Sequence, residues 1–220
     1  MAIFGNKRIY CVTFFMFARR YHIMLVGNDI GHAAGIVKNG GVIAYPTETV
    51  YGVGALATDV GALEKVYRIK SRPLSQPLSI AVSSMEMLRS VAKVECEDFI
   101  LKFLPGPVTV ILKKNRALPD ILTARSKYVG IRWPDNKMAL DLIGQTGPIV
   151  STSANLHGEK DPVRAEEVTI PVDYVLDGGP CKYGAPSTVV DLHEFTIVRK
   201  GIMYEDVRRY MYGCGCATED

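Results

Sequence analysis

The sequence predicts a single α/β domain in which helices flank a twisted, mixed β-sheet. Apolar residues at helical spacing alternate along the chain with short runs of β-branched residues, as in sheets that are covered by helices. Glycine and proline turns separate most of these segments, and no internal repeat or linker-like stretch divides the 220 residues. With 48% hydrophobic and 22% charged residues, the composition is that of a globular domain with a substantial core.

Helices are predicted where a capping residue precedes apolar side chains at helical spacing. Asp29 can cap a helix that stops at 39–41, and Asp59 can cap a second helix that finishes near Lys70. Further helices are predicted at 85–92, 97–104, 137–143, 165–168 and 205–212.

Strands are predicted from short apolar or β-branched runs that turn residues separate. Residues 46–54, which follow the first strand, are predicted to be a loop rich in hydroxyls and glycines, either a polar turn or a ligand-binding loop at the end of a strand. The runs predicted as strands lie at 42–45, 79–82, 108–112, 128–134, 149–150, 174–176, 187–192 and 196–199.

The two ends of the chain are interpreted separately from the domain at 24–204. Residues 1–23 contain an apolar run at 9–17, which is shorter than the roughly 20 residues of a membrane span and has no small-residue cleavage site after it. They are interpreted as an added strand or as an extension upstream of the true start. Residues 205–220 are predicted to be a helix followed by a glycine-rich tail.

Charge and cysteine content restrict the class of protein. The net charge of +3 is too small for a protein that coats nucleic acid. Five dispersed cysteines predict no disulfide framework, so a reducing, cytoplasmic location is expected. Cys214 and Cys216 offer two soft ligands, which do not complete a zinc site, and an inert tail is favoured.

Several familiar kinds of catalytic site are missing from the sequence. It contains no Walker-type phosphate loop, no Rossmann glycine fingerprint and no Gly-x-Ser-x-Gly elbow. No metal site is predicted, because the four histidines lack metal-ligand spacing: His22, His32, His157 and His193.

Two cations lie close together at 70–73, where the sequence is KSRP. Residues two apart in an extended chain point to the same side, and Pro73 favours an extended Arg72, so Lys70 and Arg72 are expected to face one ligand. The alternative is that both cations only complement the dipole at the end of a helix. The rigid, proline-containing segment after them favours an anion site.

A polar row at 151–155 is the second candidate. Ser151, Ser153 and Asn155 share one face of an extended strand and offer two hydroxyls and an amide. Together with the cations near 70, and with Arg132 and Arg199, they predict binding of a polyanion and catalysis by positioning and charge stabilisation. These residues alone do not identify a substrate.

Arg132 lies in a predicted strand beside the only tryptophan of the chain. An arginine in this setting can clamp a carboxylate or a phosphate, because its guanidinium presents a planar fork of donors. The alternative is an arginine of an edge strand that is paired with a glutamate of the same protein.

Six motifs follow one another along the chain. They are YPTETVYG at 45–52, KSRP at 70–73, PGPVT at 105–109, GIRWP at 130–134, STSAN at 151–155 and PSTVVD at 186–191. Together they resemble the YrdC-like family of threonylcarbamoyl-adenylate synthases, over about 29–201 and in its short, single-domain form. The resemblance implies an α/β fold with a concave basic cleft.

The resemblance also implies a reaction and its participants. L-Threonine, bicarbonate or CO₂, and ATP would give threonylcarbamoyl-adenylate and pyrophosphate, and a partner transferase would pass the threonylcarbamoyl group to adenosine 37 of tRNAs that read ANN codons. Mg²⁺ is expected to accompany ATP and to be held mainly by phosphate oxygens. Contact with tRNA or double-stranded RNA is a further expectation, and association with a membrane is not expected.

Roles for individual residues follow from the positions that match the family's motifs. The implied catalytic residues around the phosphates are Lys70, Arg72, Ser153 and Asn155. The implied L-threonine contacts are Thr47, Arg132, Ser151 and Ser187. The implied ATP contacts are Lys70, Arg72, Gln76, Ser153 and Arg199.

Two positions depart from the family's pattern. Gln76 stands where many members have asparagine, which keeps an amide, whereas Ala81 stands where some have a histidine near the threonine, which removes a donor.

Two other classes of function remain open. One is an RNA-binding module without chemistry, an interpretation that the clusters of basic residues favour. The chain also resembles the carbamoyl-adenylating domain of hydrogenase maturation proteins, but the acylphosphatase and zinc-finger segments that accompany that domain are not found in this sequence. The basic residues in question are Lys113, Lys114, Arg116, Arg208 and Arg209.

Overall fold

The structure of the chain is a computed structural model, and it describes residues 2–4, 7–12, 22–156 and 158–213. The strands are β1 (Ala2–Phe4), β2 (Lys7–Val12), β3 (His22–Gly27), β4 (Ile43–Tyr45), β5 (Gly52–Gly54), β6 (Ile80–Ala81), β7 (Val108–Lys113), β8 (Tyr128–Arg132), β9 (Ile149–Val150), β10 (Thr152–Ser153), β11 (Tyr174–Leu176), β12 (Thr188–Asp191) and β13 (Thr196–Arg199). The helices are α1 (Ile30–Lys38), α2 (Val60–Ile69), α3 (Met85–Val91), α4 (Glu97–Phe103), α5 (Lys137–Thr146) and α6 (Tyr204–Gly213), with a 3₁₀ turn at Ala165–Glu167.

The predicted α/β class is confirmed, but the strands form two mixed sheets where one was expected. The first sheet has the order β1-β2-β3-β11-β4-β5-β10, and the second has the order β13-β12-β7-β8-β6-β9. The chain passes from the second sheet to the first between β9 and β10, with Ser151 as the only residue between them. The crossing was not predicted, because Ser151 was interpreted as part of one extended polar row and no glycine or proline stands there. The crossing brings the polar row at 151–155 to the junction of both sheets.

The predicted helices begin at their expected caps. The Asp29 carboxylate accepts a hydrogen bond from the His32 amide at 2.9 Å, and Asp59 accepts one from the Ala62 amide at 3.1 Å. The helix predicted to start at Lys137 extends through Gly144 and ends before Gly147, whose φ of +86° suits a glycine at the end of a helix.

Strand β5 lies inside the segment that was predicted to be a loop. It pairs with β4 in an antiparallel hairpin, with Tyr45 opposite Gly52 and Ile43 opposite Gly54. This strand was not predicted from the sequence, because two of its three residues are glycines and glycine is depleted in strands. Here glycine permits close approach: a Cβ on Gly54 would lie only 3.1 Å from the Tyr45 ring.

The N-terminal residues that the structure describes add two strands to the first sheet. Strand β2 pairs in antiparallel fashion with β3, and β1 pairs with β2. The interpretation of residues 1–23 as a whole, either as an added strand or as an upstream extension, stays a prediction. His157, Cys214 and Cys216 lie outside the described residues, as do residues 13–21.

Helices α1 and α5 cover one face of the first sheet and share a small apolar core. The remaining helices enclose a larger core, and none of the described helices has the length and apolar character that a membrane crossing requires. The smaller core includes Ala33, Val37, Tyr45, Ala81, Leu142 and Tyr174.

Candidate active site

A cavity of about 400 Å³ opens where the two sheets meet. This volume lies within the range of roughly 300–1,000 Å³ that is typical of small-molecule sites. Residues of both sheets and of the end of α2 line it. The residues predicted from the sequence that line the cavity are Thr47, Lys70, Arg72, Arg132, Ser151, Ser153, Asn155, Ser187 and Arg199.

Lys70 and Arg72 meet at a helix-capping turn, and the extended geometry predicted for them is wrong. Lys70 keeps helical dihedral angles, and Ser71 is left-handed with φ of +50°. The Ser71 amide donates to the Arg68 carbonyl at 3.1 Å and the Arg72 amide donates to the Tyr67 carbonyl at 3.0 Å, which together form a Schellman motif. The reversal of the chain at Ser71 brings both cations to the cavity.

The Lys70 side chain is almost fully buried, with 2% exposed. Its ammonium donates hydrogen bonds to the backbone carbonyls of Ser153 and Asn155, the second at 2.7 Å, and reaches Asn155 Oδ1 at 3.4 Å. Burial, together with the charge of Arg72, lowers the pKa of Lys70 to about 8. Lys70 therefore ties the end of α2 to the polar row and supplies positive charge to the cavity wall.

Asn155 connects the polar row to the loop that follows it. Its Oδ1 accepts a hydrogen bond from Ser153 Oγ at 2.6 Å. Its Nδ2 donates to the Glu159 carbonyl at 2.6 Å and to Asp161 Oδ1 at 3.1 Å. The amide thus holds Asp161 in the cavity wall, a residue that the sequence analysis missed because a single aspartate in a loop gives no pattern.

Arg72 and Gln76 lie at the outer part of the site. Arg72 Nη2 donates to the Pro77 carbonyl at 2.9 Å, and the side chain is half-buried. Gln76 is not among the residues that line the cavity; its backbone oxygen accepts a hydrogen bond from the Tyr67 hydroxyl at 3.0 Å.

Arg132 is buried and paired with Glu48. Arg132 Nη2 donates to Glu48 Oε1 at 2.5 Å, and the two side chains are 6% and 1% exposed. Strand β8 is an interior strand of its sheet, so Arg132 does not lie on an edge strand, and its side chain lines the cavity. Glu48 Oε2 is buried without a hydrogen-bond partner among the described residues. The glutamate was present in the first motif, but only the fold shows which cation it meets.

Thr47 organises the loop between β4 and β5. Thr47 Oγ1 donates a hydrogen bond to the Val50 carbonyl at 2.7 Å. The same Oγ1 accepts hydrogen bonds from the backbone amides of Thr49 and Val50. This pattern is a local turn held by one threonine side chain, and it fixes the part of the loop that lines the cavity.

A third group of cavity residues joins β7, β12 and β13. Thr109 Oγ1 lies 2.8 Å from Ser187 Oγ, and both side chains are buried. Arg199 Nη2 donates to the Ser187 carbonyl at 2.9 Å and to Ser187 Oγ at 3.1 Å. Thr109 therefore supports the residue that orients Arg199, a role that its place in the PGPVT motif did not reveal.

The charges of the cavity favour an anionic ligand. Four cations line it, namely Lys70, Arg72, Arg132 and Arg199, against the carboxylates of Glu159 and Asp161. Across the described residues, histidine, cysteine, aspartate and glutamate form no group of three or more that could hold a metal ion. The arrangement suits a ligand with several phosphate or carboxylate groups, bound beside a row of hydroxyls.

The geometry defines an α/β domain with a cavity that four cations line at the junction of two mixed sheets. Residues 35–201 match the Sua5/YciO/YrdC family, which is described as "Telomere recombination", and the chain belongs to this family.

Two curated relatives and one solved structure show how far the similarity extends. A threonylcarbamoyl-AMP synthase of Pyrococcus abyssi is 38% identical over 171 residues, or 74% of this chain and 50% of the relative. One of Bacillus subtilis is 40% identical over 171 residues, or 74% of this chain and 49% of the relative. A crystal structure of P. abyssi Sua5 complexed with L-threonine is 35% identical with a TM-score of 0.79, covering 84% of this chain and 57% of that one. The chain thus spans about half the length of these relatives.

Proposed function

We propose that this chain is a threonylcarbamoyl-adenylate synthase that converts L-threonine, bicarbonate or CO₂, and ATP into threonylcarbamoyl-adenylate and pyrophosphate. The observation that carries the proposal is one cavity in which four cations, the buried Lys70, the half-buried Arg72, the exposed Arg199 and the glutamate-paired Arg132, lie beside hydroxyls. Relatives that share the family and most of this chain's length are named for this activity.

The proposed amino-acid subsite lies around Arg132. Arginine has five N–H donors, and among the described residues the Arg132 guanidinium donates one hydrogen bond, to Glu48, so it retains donors for a substrate carboxylate. Hydroxyls of Thr47, Ser151 and Ser187 line the same cavity and can hold the polar groups of a small amino acid. The P. abyssi relative was crystallised with L-threonine, which supports this choice of substrate.

The proposed nucleotide subsite lies around Arg72 and Arg199. Both cations line the cavity and can contact phosphates, while Lys70 adds positive charge from a position fixed by backbone carbonyls. Such preorganised charge stabilises the negative charge that grows on the α-phosphate and on departing pyrophosphate. Ser153 is proposed as a further phosphate contact, and Gln76 can take part only if its side chain turns toward the cavity.

Mg²⁺ is expected to enter with ATP. The carboxylates that line the cavity, Glu159 and Asp161, can supply one or two oxygens, and phosphate oxygens would supply most of the rest. The metal neutralises phosphate charge when it is bound.

The product is expected to serve a separate enzyme. Threonylcarbamoyl-adenylate is a mixed anhydride, so a transferase that passes its acyl group to a tRNA adenosine must consume it. Direct contact of this chain with tRNA or double-stranded RNA remains a prediction.

Radiolabelled bicarbonate provides the decisive test. We expect label to enter a nucleotide product, and pyrophosphate to be released, only when L-threonine, bicarbonate and ATP are all present. Omission of each substrate in turn is the control. A purified chain that consumes no ATP under any combination would refute the proposal, and an RNA affinity that falls steeply with salt and ignores threonine would favour the RNA-binding alternative.

A further inference from the structure

Asp161 places a carboxylate in the wall of a cavity that is otherwise suited to anions. Its side chain is partly buried and lines the cavity with Lys70 and Arg199. No ion pair of Asp161 occurs among the residues that the structure describes. A partly buried carboxylate that pairs with none of the cations beside it in the cavity wall requires an explanation.

Neutral groups hold this carboxylate in position. Asp161 Oδ1 accepts a hydrogen bond from Asn155 Nδ2 at 3.1 Å, and the same Nδ2 donates to the Glu159 carbonyl at 2.6 Å. The next residue is fixed as well, because the Tyr51 amide donates to the Pro162 carbonyl at 2.8 Å. The loop is therefore anchored on both sides of Asp161, and the carboxylate has a defined place.

Its negative charge acts on two of the proposed phosphate-binding cations. Burial lowers the pKa of Lys70 and of Arg199, and the charge of Asp161 opposes this effect at both. Any polyphosphate that lies between these cations also lies close to Asp161. A metal-free triphosphate would be repelled by the carboxylate, because like charges at short range in a partly buried site are poorly screened.

A triphosphate that carries Mg²⁺ is repelled less by the Asp161 carboxylate. The metal cancels part of the phosphate charge and accepts carboxylate oxygens, directly or through water, in addition to phosphate oxygens. Glu159, the other carboxylate of the cavity, has an exposed side chain, so water screens its charge.

We propose that Asp161 is a specificity-determining residue that makes the cavity select the magnesium complex of a nucleoside triphosphate over the metal-free form. This inference rests on the proposed function, since it concerns the nucleotide of that reaction. It assigns to the loop at 158–162 a role that the resemblance did not give it.

Equilibrium binding of ATP, measured with excess Mg²⁺ and with EDTA, tests the inference on the whole chain. The quantity of interest is the dissociation constant of metal-free ATP divided by the dissociation constant of ATP with Mg²⁺. We expect Asp161→Asn to bind metal-free ATP more tightly and to lower this ratio by about tenfold, the change that one unscreened charge contact can cause. Asparagine keeps the oxygen that accepts from Asn155, so the loop retains its anchor.

Two further variants serve as controls. Asp161→Glu retains the charge and is expected to keep most of the metal dependence. Glu166→Gln removes one negative charge from an exposed side chain outside the cavity and is expected to leave the ratio unchanged. Thermal unfolding of each variant verifies that the loss of selectivity does not reflect loss of fold.

The outcomes separate the two proposals. If the wild-type chain binds ATP but Asp161→Asn keeps the wild-type ratio, or weakens both forms equally, the inference is wrong and the proposed function stands. If the wild-type chain binds no ATP under either condition, both are wrong.

Discussion

The Lys70 ammonium donates a hydrogen bond to the backbone carbonyl of Asn155 at 2.7 Å, across 85 positions of sequence. Because Lys70 is the last residue of the turn that ends α2, this contact joins the cation-bearing helix to the junction of the two sheets. The ammonium is thereby fixed before any ligand arrives, so no reorganisation is needed when charge develops nearby.

Loss of either cation of the capping turn should reduce synthesis strongly. We expect Lys70→Met and Arg72→Met each to lower pyrophosphate release by about 100-fold to 1,000-fold, the usual effect of removing one preorganised donor from a charge-stabilising site. Arg68→Met is the matched control, since Arg68 belongs to the same helical turn but is exposed and does not line the cavity. If Lys70→Met or Arg72→Met releases pyrophosphate at the wild-type rate, the substituted residue does not belong to the active site.

The lowered pKa of Lys70 predicts opposite effects of pH on activity and stability. The ammonium loses its proton as the pH rises through about 8, so activity that depends on this charge should fall there. Between about 8 and the ordinary value of 10.5, the unfolded chain binds more protons than the folded one, so the contribution of Lys70 to the free energy of unfolding should rise with pH.

Comparison of the wild type with two variants of Lys70 distinguishes the titration of its ammonium from that of other groups. Lys70→Arg keeps a positive charge, so its residual activity should not decline near pH 8. Urea unfolding of the wild type and of Lys70→Met at several pH values should give a stability difference that moves in favour of the wild type between pH 8 and 10.5. If the activity of Lys70→Arg falls near pH 8 as the wild-type activity does, the decline reflects the titration of another group.

The Glu48–Arg132 pair should behave as one unit in a double-mutant cycle. Removal of one member leaves an uncompensated buried charge, so Glu48→Gln and Arg132→Met should each lower the free energy of unfolding by about 3 kcal/mol or more. In the double variant both charges are gone, and we expect a loss smaller than the sum by at least about 1 kcal/mol. Additive losses in urea unfolding would show that the pair is not coupled.

Local chemistry made the helices and the motifs predictable, whereas partners distant in sequence remained hidden. Asp29 and Asp59 mark their helices because a cap acts within one turn. In contrast, nothing near Arg132 indicates that Glu48 lies beside it, and nothing near Asn155 indicates contact with Lys70. Such contacts depend on the pairing of strands, which periodicity does not specify.

The cations at 70–73 line one cavity, although the extended geometry predicted for them is wrong. The sequence suggested an extended segment because Pro73 disfavours a helical Arg72. The structure turns instead at Ser71, whose positive φ closes the capping motif. Left-handed backbone at the end of a helix is usually adopted by glycine, so the serine at position 71 did not indicate a turn.

Thr109 should act on the site through Ser187. Thr109→Val keeps the shape but removes the hydroxyl that lies 2.8 Å from Ser187 Oγ, which also accepts from Arg199. Loss of one buried hydrogen bond of about 1 kcal/mol predicts a roughly fivefold rise in the KM for a substrate held there. Thr109→Ser restores the hydroxyl and should recover most of this loss. If both variants have equal steady-state constants, the contact does not position Ser187.

Ser71 offers a test of the capping turn that leaves the cations in place. A left-handed conformation costs a non-glycine residue about 1–2 kcal/mol, and glycine avoids this cost at the expense of a more flexible unfolded chain. We therefore expect Ser71→Gly to match or exceed the wild-type free energy of unfolding and to retain pyrophosphate release. Ser71→Val should be destabilised by about 1–2 kcal/mol, because a β-branched side chain resists positive φ. It should also lose activity, since strain at Ser71 displaces Lys70 and Arg72 together. A Ser71→Val chain with wild-type stability in urea would show that the turn does not constrain the cationic pair.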